Sequence, residues 1–353
     1  MSSSPPRVSV IMPCYNEQRH VERALESLFG GSFPADDMEM IAVDGRSGDG
    51  TRAILERLAW QDRRLRIVDN PAQATPAALN RGIAAARGEI IVRADAHTVY
   101  PRDYVEVLVR ALERDGADLV GCPADATPGA DGRWARVVAL ATQGPFATAS
   151  PFRDRQQSAD VDTVPFGCWK KSLFDRVGLF DERLLRNQDN EHASRIRRAG
   201  GRIRLTAETR VSYLVRPTVR ELYRHAATAG MWNAFTHRLY PYTFHWRHFL
   251  PGVFFCGVLV ALAALAGGLL RGVPILVAVA VAALGPYLLA NLAVATRKAI
   301  DVADWTLAPA IAAVTAGYHF SYGFGVAKGW ALVATGAWRR RLGALPPSGE
   351  ART

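Results

Sequence analysis

Two stretches without a charged residue lie back to back late in this chain: Phe249–Leu270, 22 positions, and Val273–Thr296, 24 positions. Each exceeds the roughly 20 apolar residues that carry a helix across a bilayer. Only Arg271-Gly272 separates them, which predicts a tight hairpin of two spans. Thr306–Ala327 is uncharged as well, but His319, its Tyr, Ser and Gly residues and the following Lys328 weaken it as a span. The net charge of +10 points the same way, because Arg195–Arg247 holds 11 Arg against 2 Glu, a net of +9. A basic collar ahead of an apolar segment reads as contact with anionic membrane lipids or as a cytoplasmic topogenic signal. Nucleic acid is therefore not an expected partner. If Arg297-Lys298 and Arg339-Arg340-Arg341 also stay inside, the segment from about 306 to 336 either spans or enters and returns, with Gly323 and Gly325 supplying flexibility. The expected location is the cytoplasmic membrane, multi-pass with two to four spans, the N-terminal half facing the cytoplasm.

That half reads quite differently. Val8–Met12, Met40–Val43, Leu65–Val68, Glu89–Ala94 and Asp118–Cys122 are short apolar runs of strand length. Between them, Glu17–Phe29, Thr51–Leu58, Pro76–Ala86 and Tyr104–Arg114 carry helical spacing. The alternation predicts an α/β fold with a mostly parallel sheet covered on both faces. Asp125–Asp162 loses the rhythm, apart from a helical stretch near Trp134–Thr142, and reads as an insertion over the site. Thr218–Leu239 predicts a helix lying at the membrane interface. Cys14, Cys122, Cys168 and Cys256 are widely spaced and form no metal motif; they read as reduced thiols. Nothing resembling a signal peptide precedes Val8.

Two of the apolar runs end in carboxylates. Met40-Ile41-Ala42-Val43 leads to Asp44, and Ile90-Ile91-Val92-Arg93-Ala94 leads to Asp95. Carboxyl ends of parallel strands are where α/β sheets bind ligands, so the pair suggests a nucleotide and a metal. Alternate residues of an extended segment point the same way, which would bring Asp95 and His97 to one ion.

The run Val8-Ser9-Val10-Ile11-Met12-Pro13-Cys14-Tyr15-Asn16-Glu17 resembles the first strand and loop of family-2 glycosyltransferases of the GT-A fold. Further blocks follow in that family's order: Val43-Asp44-Gly45-Arg46-Ser47-Gly48-Asp49-Gly50-Thr51, Ala78-Leu79-Asn80-Arg81-Gly82, Asp95-Ala96-His97, and Val177-Gly178-Leu179-Phe180-Asp181-Glu182 with Gln188-Asp189. Together they cover about Val8 to Glu208. The Asp-Ala-His form and the apolar tail resemble the succinoglycan-biosynthesis glucosyltransferase subgroup.

The resemblance implies a nucleotide-diphosphate sugar as donor, with Pro13, Tyr15, Glu17, Asp44, Asn80 and Asp95 around it. Asp44 would meet the base or ribose, and Glu17 would help hold the nucleoside. Asp95 and His97 fall at the family's Asp-x-Asp position and would hold a divalent cation, Mg²⁺ or Mn²⁺. Asp189 would be the general base, with Gln188 beside it and Trp232 as an acceptor-stacking or interfacial residue. The chain departs from the pattern at Gly45, His97 and Gln188, each standing where the family carries an acid. The Gln-x-x-Arg-Trp motif of processive synthases is replaced by Ala229-Gly230-Met231-Trp232.

The function so implied is an inverting, metal-dependent transfer of a single sugar, glucose from UDP-glucose, to a polyprenyl-linked saccharide in exopolysaccharide or cell-surface glycan synthesis. A polyprenyl-phosphate monosaccharide synthase, and a catalytically silent membrane scaffold that binds nucleotide sugar, stay open as alternatives. The expected divisions are a GT-A domain over 1–215, an interfacial helix region over 216–248, a membrane region over 249–338 and a basic, disordered tail over 339–353.

Overall fold

A computed structural model describes residues 5–147, 156–243 and 245–342. The expected tail therefore lies almost wholly outside the described residues. The described residues fall into two compact units: 5–125, 156–214 and 340–342 in the first, 126–147, 215–243 and 245–339 in the second.

In the first unit β1 (Val8–Cys14), α1 (Val21–Phe29), β2 (Met38–Asp44), α2 (Thr51–Gln61), β3 (Leu65–Asp69), α3 (Thr75–Ala85) and β4 (Ile90–Arg93) alternate as expected. They are followed by β5 (Thr98–Val99), α4 (Tyr104–Asp115), β6 (Leu119–Gly121) and β7 (Ala124–Pro128). After α5 (Arg133–Thr142) and α6 (Gly144–Ala147) of the second unit come β8 (Ala159–Asp160), β9 (Cys168–Lys170), α7 (Leu173–Val177), α8 (Gln188–Arg198), β10 (Ile203–Leu205) and β11 (Val211–Val215). The sheet runs β3-β2-β1-β4-β9-β6-β10-β8. The first four strands are mutually parallel, β6 pairs parallel with β10, and β9 enters antiparallel between β4 and β6.

Alternation along β1 explains the two-sided core. Val8, Val10, Met12 and Cys14 join one buried cluster with Leu25, Leu108 and Leu112, while Ile11 joins the other with Leu79, Ile83 and Ile196. Gly82 lets α3 approach β1 closely, since a Cβ there would stand 2.3 Å from Ile11 Cγ2. The chain steps outward from β1 to β2 and β3, then returns to the far side of β1 as β4. This reversal opens a crevice at the carboxyl ends of β1 and β4, the place where such sheets take ligands.

The second unit holds α9 (Val219–Leu239), α10 (Leu250–Arg271), α11 (Pro274–Asp301) and α12 (Ala308–Ala334) besides α5 and α6. α10 and α11 are long and apolar enough to cross a membrane, and large apolar side chains such as Val260, Leu269 and Leu289 lie exposed along them. Gly272 closes α10 in the left-handed region, φ 64°, and Val273 N–H donates to Gly268 O at 2.9 Å, so the hairpin is a glycine C-cap.

Of the two alternatives for the segment from about 306 to 336, a reversal of the chain is excluded: α12 is one unbroken helix of 27 residues, about 40 Å long at 1.5 Å per residue. Gly325 and Gly323 are packing positions rather than hinges. A Cβ on Gly325 would meet Ala227 O of α9 at 2.1 Å, and one on Gly323 would meet Pro251 O of α10 at 2.2 Å. Gly317, Ser321, Gly325 and Gly329 form a small-residue stripe at four-residue spacing; its glycines let the α9 and α12 backbones approach closely.

The expected insertion over the site supplies α5 and α6 to this unit, where Lys298 Nζ donates to Leu140 O at 2.9 Å and Gln143 O at 2.6 Å. The basic collar also dissolves in part. Arg195, Arg197, Arg202, Arg204 and Arg210 pair with Glu191, Asp162, Asp160, Asp115 and Asp125 inside the α/β unit. Those acids, Glu191, Asp162, Asp160, Asp115 and Asp125, lie outside the counted window, so for these five arginines the excess was a property of the window.

Candidate active site

The loops after β1 and β2 are laced into one platform. Asn16 N–H donates to Ser47 Oγ at 3.0 Å, and Gly48 N–H returns to Asn16 Oδ1 at 2.8 Å. Glu17 N–H donates to Thr51 Oγ1 at 2.8 Å, while Gly50 N–H donates to Gln18 Oε1 at 3.0 Å. Asn16 and Arg46 hold φ near 56° and 57°, the left-handed region that makes both turns tight. Asp44, buried at the end of β2, accepts from Ser47 Oγ at 2.7 Å and lies 3.7 Å from Arg52. Pro13 pairs with Val43 within the sheet. Tyr15 stands 47% exposed with its ring over Gly45, where a Cβ would sit 3.0 Å from Tyr15 Cδ2. A side chain at Gly45 would therefore press on the Tyr15 ring.

At the end of β4, three charged side chains meet. The Arg93 guanidinium is buried, 7% exposed. Its Nε donates to Asp95 Oδ1 at 2.9 Å, and its Nη1 donates to Asp189 Oδ1. The two carboxylates, 94 positions apart in the sequence, thereby share one planar cation. Arg93 stays fully protonated, because the two carboxylates outweigh the cost of its burial. Asp189 lies in the first turn of α8, where helix N-terminal amides also favour a carboxylate. It is not the cap: Asn187 holds that position, with φ 63°. Gln188 is buried beside it. The helix is fixed by Arg195, whose guanidinium donates to Val177 O at 2.6 Å and Leu179 O at 2.7 Å, and by His192 stacked on Phe180 at 4.4 Å.

Both ring nitrogens of His97 have protein partners. The chain turns at Ala96-His97 instead of running extended, so the alternation that would aim His97 with Asp95 is broken. Nδ1 lies 2.9 Å from Glu17 Oε1 and Nε2 3.3 Å from Tyr213 Oη. Burial disfavours its cation, but the Tyr213 oxygen, Glu17 and Asp95 together push its pKa up to about 10. Among the described residues no three His, Cys, Asp or Glu side chains gather as a metal cage. Asp95 alone fits a hard cation that takes its remaining ligands from phosphate oxygens and water.

Two other expected residues stand apart. Asn80 ties α3 to the block after α7, donating to Phe180 O at 2.9 Å and Glu182 Oε1 at 3.0 Å and accepting from Phe180 N–H at 3.0 Å. Its amide acts as a strut between α3 and the block after α7. Trp232 belongs to the second unit and is buried, with Phe235 edge-on at 5.4 Å, which leaves no open face for a sugar. Sequence reasoning missed Arg93. The signal was available: a charged residue inside the apolar run Ile90–Ala94 must find a partner within the fold.

Residues 9–180 match the family described as Glycosyl transferase family 2. A succinoglycan biosynthesis protein, ExoA of Rhizobium meliloti (strain 1021), is 33% identical over 231 residues, 61% of this chain and 65% of that protein. The chain thus spans just under two thirds of that relative. A dolichyl N-acetyl-α-D-glucosaminyl phosphate 3-β-D-2,3-diacetamido-2,3-dideoxy-β-D-glucuronosyltransferase of Methanococcus voltae is 22% identical over 229 residues, 63% of this chain and 71% of that one. Among solved structures, the mannosyltransferase PcManGT of Pyrobaculum calidifontis, in complex with GDP-Man and Mn²⁺, shares the fold with a TM-score of 0.55 at 22% identity. It covers 91% of this chain and 88% of that one.

Proposed function

We propose that this chain, which carries a family-2 glycosyltransferase domain, is an inverting glycosyltransferase that moves one sugar from a nucleotide-diphosphate donor to a lipid-linked saccharide. The observation that carries the reading is the meeting of Asp95 and Asp189 on Arg93 at the switch point of the sheet. One carboxylate faces the donor's phosphates and the other is free to take a proton.

Glu17, Asp44 and the Tyr15 ring form the nucleoside end of the site. A divalent cation held by Asp95 and the donor's own phosphates would offset the charge that builds on the leaving nucleotide. Asp189 accepts the proton of the acceptor hydroxyl as that oxygen bonds to the anomeric carbon. The bond from that carbon to the diphosphate breaks on the opposite face, so the configuration inverts and no covalent enzyme intermediate forms. UDP-glucose is the preferred donor in this reading, carried over from the motif resemblance of the sequence; the succinoglycan biosynthesis relative supports polysaccharide synthesis, and the mannosyltransferase with GDP-Man and Mn²⁺ supports the nucleotide-sugar and metal class alone. A polyprenyl-linked saccharide is the preferred acceptor, supported by the dolichyl-phosphate sugar named for the archaeal relative and by the apolar hairpin. We place α10 and α11 across the cytoplasmic membrane, with the catalytic unit on its cytoplasmic face.

The test is a panel. Membranes containing the protein are incubated with labelled UDP- and GDP-sugars and Mn²⁺ or Mg²⁺, and the lipids are extracted. One labelled sugar should enter the lipid fraction with the wild type and fail to do so with Asp95→Asn. Label that enters at full rate in excess chelator rules out the cation, and label that never reaches lipid rules out the acceptor.

A further inference from the structure

The proposed reaction needs two carboxylates with different tasks, and their relative placement is not set by the backbone alone. Asp95 follows β4, while Asp189 lies in the first turn of α8, 94 residues later in the chain. What joins them is Arg93. We propose that Arg93 is a positioning residue that ties the donor-side carboxylate to the base, so that the two are aligned as one unit. The inference rests on the reading of Asp189 as base.

Several features make Arg93 suited to this. Its backbone is held at both groups: Arg93 N–H donates to Gly167 O at 2.8 Å, and Tyr104 Oη donates to Arg93 O at 3.0 Å. Asp95 is held likewise, with its N–H donating to Tyr100 Oη at 2.5 Å and its carbonyl accepting from Tyr100 Oη at 3.1 Å. Tyr100 and Tyr104 are buried and packed at 4.6 Å, so both anchors sit in the core. The guanidinium is planar, and its Nε and Nη1 point to separate acceptors in one fixed fork. Being buried, it is little screened by solvent, and its direction is set by its partners. Neither carboxylate has another side-chain or backbone donor among the described residues. Asp189 keeps 35% of its side chain exposed and Asp95 18%, so each retains an open edge for a substrate while Arg93 fixes the other.

A bridge makes a demand that a one-sided contact does not. Removing it must loosen both ends at once. Arg93→Met keeps an apolar side chain that fills the space, and Arg93→Lys keeps the charge on a single nitrogen that cannot face both acceptors. The full chain is purified in detergent, and each variant is checked by its melting temperature.

Two quantities are then read: kcat with the labelled donor that the panel selects, and the affinity for UDP and GDP with Mn²⁺ by calorimetry. Arg93→Met should lower kcat by about 100-fold, the scale of a misplaced general base, and weaken the nucleotide by about tenfold. Arg93→Lys should rescue neither fully. In an Asp189→Asn background, Arg93→Met should still weaken the nucleotide but change kcat by less than about threefold, because coupled residues are not additive. If only one quantity moves, or if the kcat loss is equally large without the base, Arg93 is not a bridge. If Asp189→Asn alone turns over normally, the base reading falls and takes the bridge with it, an outcome distinct from the other two.

Discussion

At the amino end of the sheet, on β2, buried Glu39 accepts four hydrogen bonds. Ser9 Oγ and Arg87 N–H reach Oε1 at 2.7 Å each, and Arg66 Nη1 and Arg87 Nε reach Oε2 at 2.9 Å each. At the carboxyl end, Asp95 and Asp189 accept from one guanidinium between them. Both ends are carboxylates beside arginine, and by composition they look alike. A carboxylate has about four acceptor sites, and Glu39 has filled them with protein, whereas the other two have not. An arginine–carboxylate pair is therefore weak evidence for a site. Unspent acceptor capacity with some exposure, at a strand end that faces a crevice, is the stronger sign.

The largest effect should come from the saturated end. Glu39→Ala removes the acceptor for four donors on three residues and leaves two arginines near it. The cost should be about 3 kcal/mol, the low end for opening a buried pair, because both guanidiniums also reach water. Chemical denaturation would measure it, and turnover per folded molecule should not change. The pH dependence has a definite sign. Burial alone would raise the Glu39 pKa, but the Arg87 amide, Ser9, Arg66 and the Arg87 side chain outweigh it and hold it below the usual carboxylate value. Its contribution is then fully present above the unfolded pKa of about 4.3 and is lost as pH falls through the lower folded value. The gap between wild type and variant should narrow in that acid window. A gap that stays constant means Glu39 does not act through its charge.

Next is the mirror case at the open end. Asp189→Asn keeps the shape and one acceptor oxygen for Arg93, so stability should change by less than about 1 kcal/mol. Turnover should fall by roughly 10²-fold, about 2.7 kcal/mol in the barrier. A variant that loses stability and keeps turnover would reverse the comparison, making Asp189 the structural member.

The architecture was largely legible, because strand-length apolar runs and helical spacing are local signals: β1 to β4 and α1 to α4 fall where periodicity put them. The strand-end carboxylates were legible for the same reason. What local pattern could not reach was pairing over distance. His97 was expected beside Asp95 on an extended strand, but a turn sends its ring to Glu17 and Tyr213, the latter more than 100 residues away. Asn80 lay in a motif block, yet its partners come from after α7. The arginines of the collar found acids that a window count excluded. The glycines of α12 looked like hinges because a sequence does not display the neighbouring helix.

Two glycines reduce the same comparison to its smallest scale. Gly88 lies under the Glu39 network: its N–H donates to Ser9 Oγ at 2.9 Å, and a Cβ there would stand 2.7 Å from Ser9 N. The obstacle is backbone in a saturated cluster, so Gly88→Ala should cost about 1–3 kcal/mol as overpacking does, with nucleotide affinity unchanged. Gly45 lies at the opposite end of β2, where a Cβ would meet the Tyr15 ring at 3.0 Å. That ring is half exposed and can yield by a few tenths of an ångström, so Gly45→Ala should leave stability within about 0.5 kcal/mol. Its effect should appear in binding, since Tyr15 is read as an aromatic face for the nucleoside. Calorimetry with UDP and GDP should show about a threefold loss of affinity, near 0.65 kcal/mol. The crossed outcome would break the comparison at this scale. If Gly45→Ala lowers the melting temperature and spares affinity, Tyr15 is packing for the loop after β2, and the nucleoside must find its contacts on Asp44 and Glu17 alone.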